Sequence, residues 1–276
     1  MNYRHAFHAG NHADVLKHLV LVFCLDALKR KPAPFAVLDT HAGPGLYDLH
    51  SEEAARSPEW RDGIARLWEW DAAPPLARAY VDAVRAANPD GALRFYPGSP
   101  ALIAGALRDD DRLAACELHK DDALALKARF RAARNVETHA RDGWEAMGAL
   151  LPFPERRGLV LIDPPYEAPD ELERAARALG PALRRFGHGL YLWWRPMKSE
   201  SALAAADAET RAQGARASLR ADLWVDTPTS EGKLSGSSMF LINPPYGLDE
   251  ALRQTLPALS ERLGVEGRGG WRVENY

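Results

Sequence analysis

The chain has 276 residues, with 35 Lys+Arg against 38 Asp+Glu, a formal net charge of −3, 46% hydrophobic and 26% charged residues. This is the composition of a soluble globular protein; it excludes a disordered chain and a polycation, so any nucleic-acid contact must rest on a local basic patch. Two cysteines in apolar surroundings, Cys24 and Cys116, read as core residues of a reducing compartment. The longest apolar run, at 19–25, is seven residues, far below the ~20 that span a bilayer, and the start shows no signal-peptide pattern. The expectation is a cytoplasmic protein.

In chain order, the first element is a helix at 12–31. Asn11 is its N-cap, with Asp14 three residues on. Leu16, Leu19, Val20, Phe23 and Ala27 recur at helical spacing, and Pro32 stops it. A short apolar strand at 35–39 runs into the turn Thr40-His-Ala-Gly-Pro-Gly45. Residues 47–96 then change texture. They hold Trp60, Trp68, Trp70 and Tyr80 on helical patterns at 60–70 and 76–87, and read as a helical insertion of roughly 50 residues. Pro97-Gly-Ser-Pro100 opens a helix to 107, with Ser99 as expected N-cap and Pro100 at the first helical position.

Beyond this point strands at 112–118, 135–140, 158–162, 189–194 and 219–225 alternate with helices at 121–133, 144–151, 169–186 and 199–217. A strand at 239–242 follows a loop, 227–238, too short for a crossover helix, and should therefore run antiparallel. The expectation is a seven-stranded, mostly parallel α/β sheet. The domain formed by 1–46 and 97–276 would carry 47–96 as a small helical subdomain.

In such sheets ligands sit beyond the carboxyl ends of the strands. Four consecutive strands there deliver Asp39, Glu117, Asp142-Gly143 and Asp163. Any one of these acids could be a helix cap or a solvated loop residue; the set points to one cleft. The glycine turn alone is weak, because it lacks the third glycine of the dinucleotide fingerprint. Glu117 suits a ribose diol. Its distance of 74 residues from Gly43 falls to about 24 without the insertion, near the usual ~20.

The most informative motif is Asp163-Pro164-Pro165-Tyr166. An exocyclic adenine amine is a poor nucleophile because its lone pair is delocalised. The Asp carboxylate and the carbonyl of the first proline would accept its two N–H bonds and draw it toward tetrahedral geometry. Two fixed proline φ angles preorganise the acceptors. Tyr166 would stack on the flipped base, and the carboxylate can take the released proton. Asn243-Pro-Pro-Tyr246 repeats the pattern. Strand order selects Asp163, which follows the fourth strand beside the first, and assigns Asn243 a turn.

Six of nine histidines crowd the start: His5, His8, His12, His18, His41 and His50. No Cys or Glu completes a ligand set, so no metal is expected. Lining of a cofactor or RNA cleft and a solvated helix face are the two remaining readings, for Lys17 and His18 as well.

The segments Tyr3-Arg-His-Ala-Phe-His-Ala-Gly-Asn-His-Ala-Asp-Val-Leu-Lys-His18, Leu38-Asp-Thr-His-Ala-Gly43, Tyr96-Pro-Gly-Ser-Pro100 and Leu161-Ile-Asp-Pro-Pro-Tyr-Glu167 resemble the bacterial large-subunit ribosomal RNA adenine-N6 methyltransferase J family, collinearly over nearly the whole chain. The resemblance implies a Rossmann-like class I S-adenosylmethionine-dependent methyltransferase acting on one adenine, position 2030 of 23S ribosomal RNA; nothing in the sequence demands a dimer, and a monomer is expected. It implies cofactor contacts from His18, His41, Ser99, Glu117, Asp142, Gly143 and Asp163. Asp163 would also be catalytic, and Tyr3 would join Pro164 and Tyr166 at the substrate. Two features depart from the family pattern: Pro44 within the glycine turn, and Lys233 as the one base in the loop before the last strand.

Other readings keep the fold but change the substrate to DNA adenine, another RNA or a protein glutamine; no added DNA-recognition domain is visible. A cytosine-C5 enzyme needs a nucleophilic cysteine in a loop, and neither cysteine sits in one. A nicotinamide dehydrogenase lacks its glycine pattern. A non-catalytic RNA-binding protein does not need the Asp163 motif.

Overall fold

A computed structural model describes residues 4–215, 217–227 and 234–276. Its first helix, α1 (His12–Lys29), starts where the cap signal places it: the Asn11 side chain accepts from the amides of Ala13 and Asp14. The reciprocal bond runs from the Gly10 amide to Asp14. β1 (Ala36–Asp39) follows, and β2 (Leu46–Asp48) pairs antiparallel with β3 (Phe95–Pro97). Between these two lie α2 (Glu52–Arg56), α3 (Ile64–Trp68) and α4 (Pro75–Arg85). The β2–β3 ribbon escapes the sequence reading because three residues per strand are too few to show a period.

The rest alternates: α5 (Ser99–Ala106), β4 (Arg112–Cys116), α6 (Lys120–Phe130), β5 (Val136–His139), α7 (Gly143–Leu150), β6 (Gly158–Ile162), α8 (Glu171–Arg185), β7 (Leu190–Pro196), α9 (Glu200–Ala212), β8 (Ser218–Trp224), β9 (Gly236–Ile242), α10 (Leu248–Leu263) and β10 (Gly270–Asn275). Gly98, not Ser99, is the N-cap of α5; Ser99 and Pro100 occupy its first two positions, and the Ser99 side chain makes no capping bond.

The main sheet has eight strands in the order β10-β8-β9-β7-β6-β1-β4-β5. β5, β4, β1, β6 and β7 are mutually parallel, and β9 runs antiparallel to β7 and β8. The eighth strand, β10, pairs antiparallel with β8 at the edge. It is Gly-Trp-Arg-Val-Glu-Asn with Val273 alone buried, so it shows no apolar run in the sequence.

The central strands are buried on both faces, as a parallel sheet requires. In β1, Val37 joins the core beneath α1, α4, α5 and α10, while Ala36 and Leu38 join the core beneath α7 and α8. Leu159 and Leu161 alternate with Val160 and Ile162 in the same way along β6. Ile64, Leu67, Tyr80 and Val84 of the 47–96 segment share the first core with Leu16 and Leu19. α1 is consequently buried nearly all round, its Lys17 and His18 included.

The chain leaves β1 toward β4 on one side and returns on the other at β6. That reversal opens a crevice beyond the ends of β1 and β6, the place where ligands bind in sheets of this kind. Asp39 and Asp163 stand at those two strand ends.

Candidate active site

A cleft of about 870 Å³ occupies this crevice. It is lined by His18, His41, Ser99, Glu117, Asp142, Gly143, Asp163, Pro164 and Tyr166, every cofactor and substrate candidate from the sequence except Tyr3. Tyr3 and Lys233 lie outside the described residues. Among the described residues no cluster of His, Cys, Asp and Glu is placed to hold a metal ion, and no helix is long and apolar enough to cross a membrane.

The floor is the turn after β1. Gly43 and Gly45 have φ of +62° and +88°, left-handed conformations that favour glycine. Glu117, at the end of β4, fixes the turn: its Oε2 accepts the Gly43 amide at 2.8 Å and its Oε1 the His119 amide at 2.7 Å. Burial raises its pKa against these bonds. Asp39 is fully buried below. The Ser99 side chain and the His41 backbone stand beside its carboxylate, though neither oxygen has a partner at full hydrogen-bond geometry. Burial, with Asp163 nearby, pushes the Asp39 pKa up to about 7.

One wall is the start of α7. Asp142 caps it, accepting the Trp144 amide at 2.7 Å, and pairs through its other oxygen with Arg174 at 3.2 Å. The capping alternative for this acid thus holds alongside its place in the cleft. Gly143 is needed for close approach: a Cβ there would stand 2.2 Å from the Thr40 carbonyl oxygen. His41 packs edge-on against Trp144 and bonds through Nδ1 with the Thr40 hydroxyl. Burial pushes its pKa down to about 4, so it is neutral at pH 7.

The opposite wall is α1. Lys17 Nζ lies 2.5 Å from Asp163 Oδ2 and 2.7 Å from Asp14 Oδ1. Burial alone would lower the ammonium's pKa; the two carboxylates more than offset it and hold it above its ordinary value. Asp14 also meets His5 at 2.8 Å, and despite burial its pKa is held well below the usual range by His5 and Lys17. The solvated-face reading of Lys17 and His18 is therefore set aside. Asp14 is a member of this constellation that the sequence reading treats only as a capping residue; its signal is an acid one helical turn before a lysine on a helix otherwise apolar.

In the Asp163-Pro164-Pro165-Tyr166 loop, Tyr166 has φ +53°, uncommon for a residue with a Cβ and a mark of a constrained loop. Its hydroxyl donates to the Trp194 carbonyl and accepts from Trp193 Nε1, both at 2.8 Å, so β7 holds the ring by its tip. Trp193 and Trp194 are contributors that no motif announces. Asn243 also has positive φ, +55°, but belongs elsewhere. β9 runs backwards, and Ile242 pairs with Tyr191 at the start of β7, whereas the cleft is at the end, where Pro196 pairs with Ser237. Asn243 thus lies at the opposite edge of the sheet from Asp163. There its amide donates to the carbonyls of Gly187 and Gly189, a turn-holding job.

With this geometry, comparison with known proteins is decisive. A family model described as ribosomal RNA large subunit methyltransferase D, RlmJ, matches residues 32–276. The chain belongs to the RlmJ family. It is 39% identical over 269 residues to the ribosomal RNA large subunit methyltransferase J of Escherichia coli K12, covering 98% of this chain and 96% of the relative. It is 40% identical over 275 residues to the Haemophilus influenzae protein of the same description, covering 99% and 98%. These alignments take in α1, which precedes the family model's match. A crystal structure of a Legionella pneumophila protein superposes with a TM-score of 0.89 at 33% identity, covering 97% of this chain and 98% of that one.

Proposed function

We propose that this RlmJ-family chain is an enzyme transferring a methyl group from S-adenosylmethionine to N6 of a single adenine of 23S ribosomal RNA, position 2030 in the usual bacterial numbering. The observation that carries the reading is the Asp163-Pro164-Pro165-Tyr166 loop at the end of β6, facing the cleft and held by the buried Lys17. Relatives aligned over nearly the whole chain are described as ribosomal RNA large subunit methyltransferases, which supports the substrate class.

The cleft fits the cofactor. His18, which lines it, has a buried and unsatisfied Nε2, and the positive φ of Gly43 in its wall lets backbone approach a ligand closely. His18, His41, Ser99, Glu117, Asp142, Gly143 and Asp163 are proposed to hold it, Glu117 at the ribose. S-adenosylmethionine supplies, when bound, a sulfonium-activated methyl group. Asp163 and the Pro164 carbonyl are proposed to accept the two N–H bonds of adenine N6, localising its lone pair, with Tyr166 against the base and Tyr3 at the substrate. Asp163 would take the proton that N6 loses on methylation and pass it on to water. Lys17 holds Asp163 in position through their ion pair. The methylated amine is a strong acid, so a weak base suffices to take its proton.

We also propose that the chain works as a monomer in the cytoplasm. We read 1–46 and 97–276 as the methyltransferase domain and 47–96, which takes in most of the β2–β3 ribbon and the helices it encloses, as the inserted subdomain. The test is transfer from labelled cofactor to protein-free 23S ribosomal RNA with the modified nucleotide mapped. Label at one adenine N6 is expected. No incorporation by folded, cofactor-bound protein would sink the reading, and label in DNA or in another RNA instead would redirect it.

A further inference from the structure

His18 is joined to a short chain of buried hydroxyls that has no outlet. Its Nδ1 lies 2.6 Å from the Tyr96 hydroxyl, and that hydroxyl lies 3.0 Å from the Tyr80 hydroxyl. All three side chains are at most 1% exposed. Tyr80 sits on α4, within the 47–96 segment, and Tyr96 on β3 at its border. The other ring nitrogen, Nε2, is buried and without a partner, on a residue that lines the cleft. Burial and the neighbouring Lys17 hold the imidazole's pKa well below its ordinary value, so the ring is neutral and carries one N–H.

Three protons share these two bonds, so one donor is left over in either direction, and its place decides between them. If Nδ1–H donated to Tyr96, Tyr96 would have to donate to Tyr80, and the leftover Tyr80 proton would be sealed in the core with no acceptor among the described residues, the costly outcome for a buried donor. If Tyr80 donates to Tyr96 and Tyr96 donates to Nδ1, the leftover proton is the imidazole's on Nε2, on a residue that lines the cleft, where a bound ligand can accept it. The 2.6 Å spacing agrees, since bonds from O–H donors are shorter than those from N–H donors, whose usual length is ~2.9 Å.

We propose that Tyr96, backed by Tyr80, locks neutral His18 in the Nε2–H tautomer, so that the cleft presents a hydrogen-bond donor at this point. Resting on the cofactor reading above, the donor selects an acceptor group: the carboxylate of the cofactor's amino-acid end, not its ammonium. Tyr96 and Tyr80 are positioning residues, acting through His18. They make a part of the 47–96 segment a determinant of cofactor polarity without touching the cofactor. The second-nitrogen hydrogen bond that sets a histidine's tautomer is a general device; here its direction is set by the dead end at Tyr80.

The test is the pair of ¹⁵N shifts of the His18 ring in the full-length protein, with S-adenosylhomocysteine affinity measured beside it. Wild type should show a protonated Nε2 and a hydrogen-bond-accepting Nδ1. In Tyr96→Phe, which keeps the ring but removes the hydroxyl, the two tautomers should mix and affinity should fall by about tenfold. Tyr80→Phe is the control for disturbed packing: Tyr96 becomes the dead end, and the Nε2–H tautomer should persist. A wild-type spectrum with the proton on Nδ1, or Tyr96→Phe with the tautomer still fixed, overturns the lock. An Nε2–H tautomer together with unchanged affinity in His18→Ala would overturn the cofactor assignment while leaving the lock standing, so the two failures are distinguishable.

Discussion

Lys17 and Asp163, 146 positions apart in the chain, meet at 2.5 Å between α1 and the end of β6. The ammonium is shared with Asp14, so one buried cation serves two carboxylates, the buried Asp14, which also meets His5, and the partly exposed Asp163. Removing one member of such a group leaves uncompensated buried charge, at a cost of about 3–5 kcal/mol. We predict that Lys17→Met lowers stability by about that amount and lowers methyl transfer by at least about 10²-fold. Adding Asp163→Asn should recover part of the stability and none of the activity. Denaturant titration and single-turnover methylation check the two halves, and a stable, active Lys17→Met would refute both.

Asp39 makes stability pH-dependent in a predictable direction. Its pKa is raised from 3.8 to about 7 by burial. Between those values the folded chain keeps a proton that the unfolded chain has released, so stability from this group is lost as pH rises from about 3.8, and the loss is complete above about 7. The full effect is on the order of 4 kcal/mol. Asp39→Asn, which cannot ionise, should therefore gain on wild type as pH rises from 4 to 7. A stability difference that does not change with pH would count against the assignment.

The two Pro-Pro-Tyr loops should separate cleanly on substitution. Asp163→Ala should abolish transfer, by on the order of 10³-fold or more. Asn243→Ala loses two bonds to backbone carbonyls and places alanine at φ +55°; it should cost about 1–3 kcal/mol of stability and leave the rate per folded molecule near wild type. Loss of transfer in folded Asn243→Ala alone would reverse the roles.

Gly143 is a steric prediction. A methyl group there meets the Thr40 carbonyl at 2.2 Å, and backbone cannot step aside as a side-chain tip can. Gly143→Ala should destabilise by about 1–3 kcal/mol and weaken cofactor binding, because the start of α7 must move off the β1 turn. Wild-type melting and affinity would show the approach to be looser.

How much of this the sequence shows depends on how local each signal is. The alternation of apolar runs and helical periods yields the parallel sheet, and the missing crossover helix yields the reversed direction of β9. Strand ends locate Asp39, Glu117, Asp142 and Asp163. What is not legible is tertiary. Asp14 reads as the third residue of a helix until Lys17 and Asp163 are placed beside it. Trp193 reads as a strand aromatic until its indole N–H is found on Tyr166. Arg195 and Arg220 look like surface charges within strands, yet they are buried against Asp207, with Asp222 also on Arg220. The repeated Leu248, Leu252, Leu256, Leu259 and Leu263 of α10 is a signal of ordinary strength that is easily passed over after the last expected strand.

The all-round burial of α1 has a consequence for synthesis. The helix packs on α4 and α5 but also on β9 and α10, which lie more than 200 residues downstream. At about 5–20 residues per second, on the order of 10–50 s pass between the emergence of α1 from the ribosome and that of its last partners. During that time one of the most apolar segments of the protein, and the one that holds Asp163 in place, has no complete surface to bury itself against. Lys17 is thus made long before the last of the surface that buries its helix.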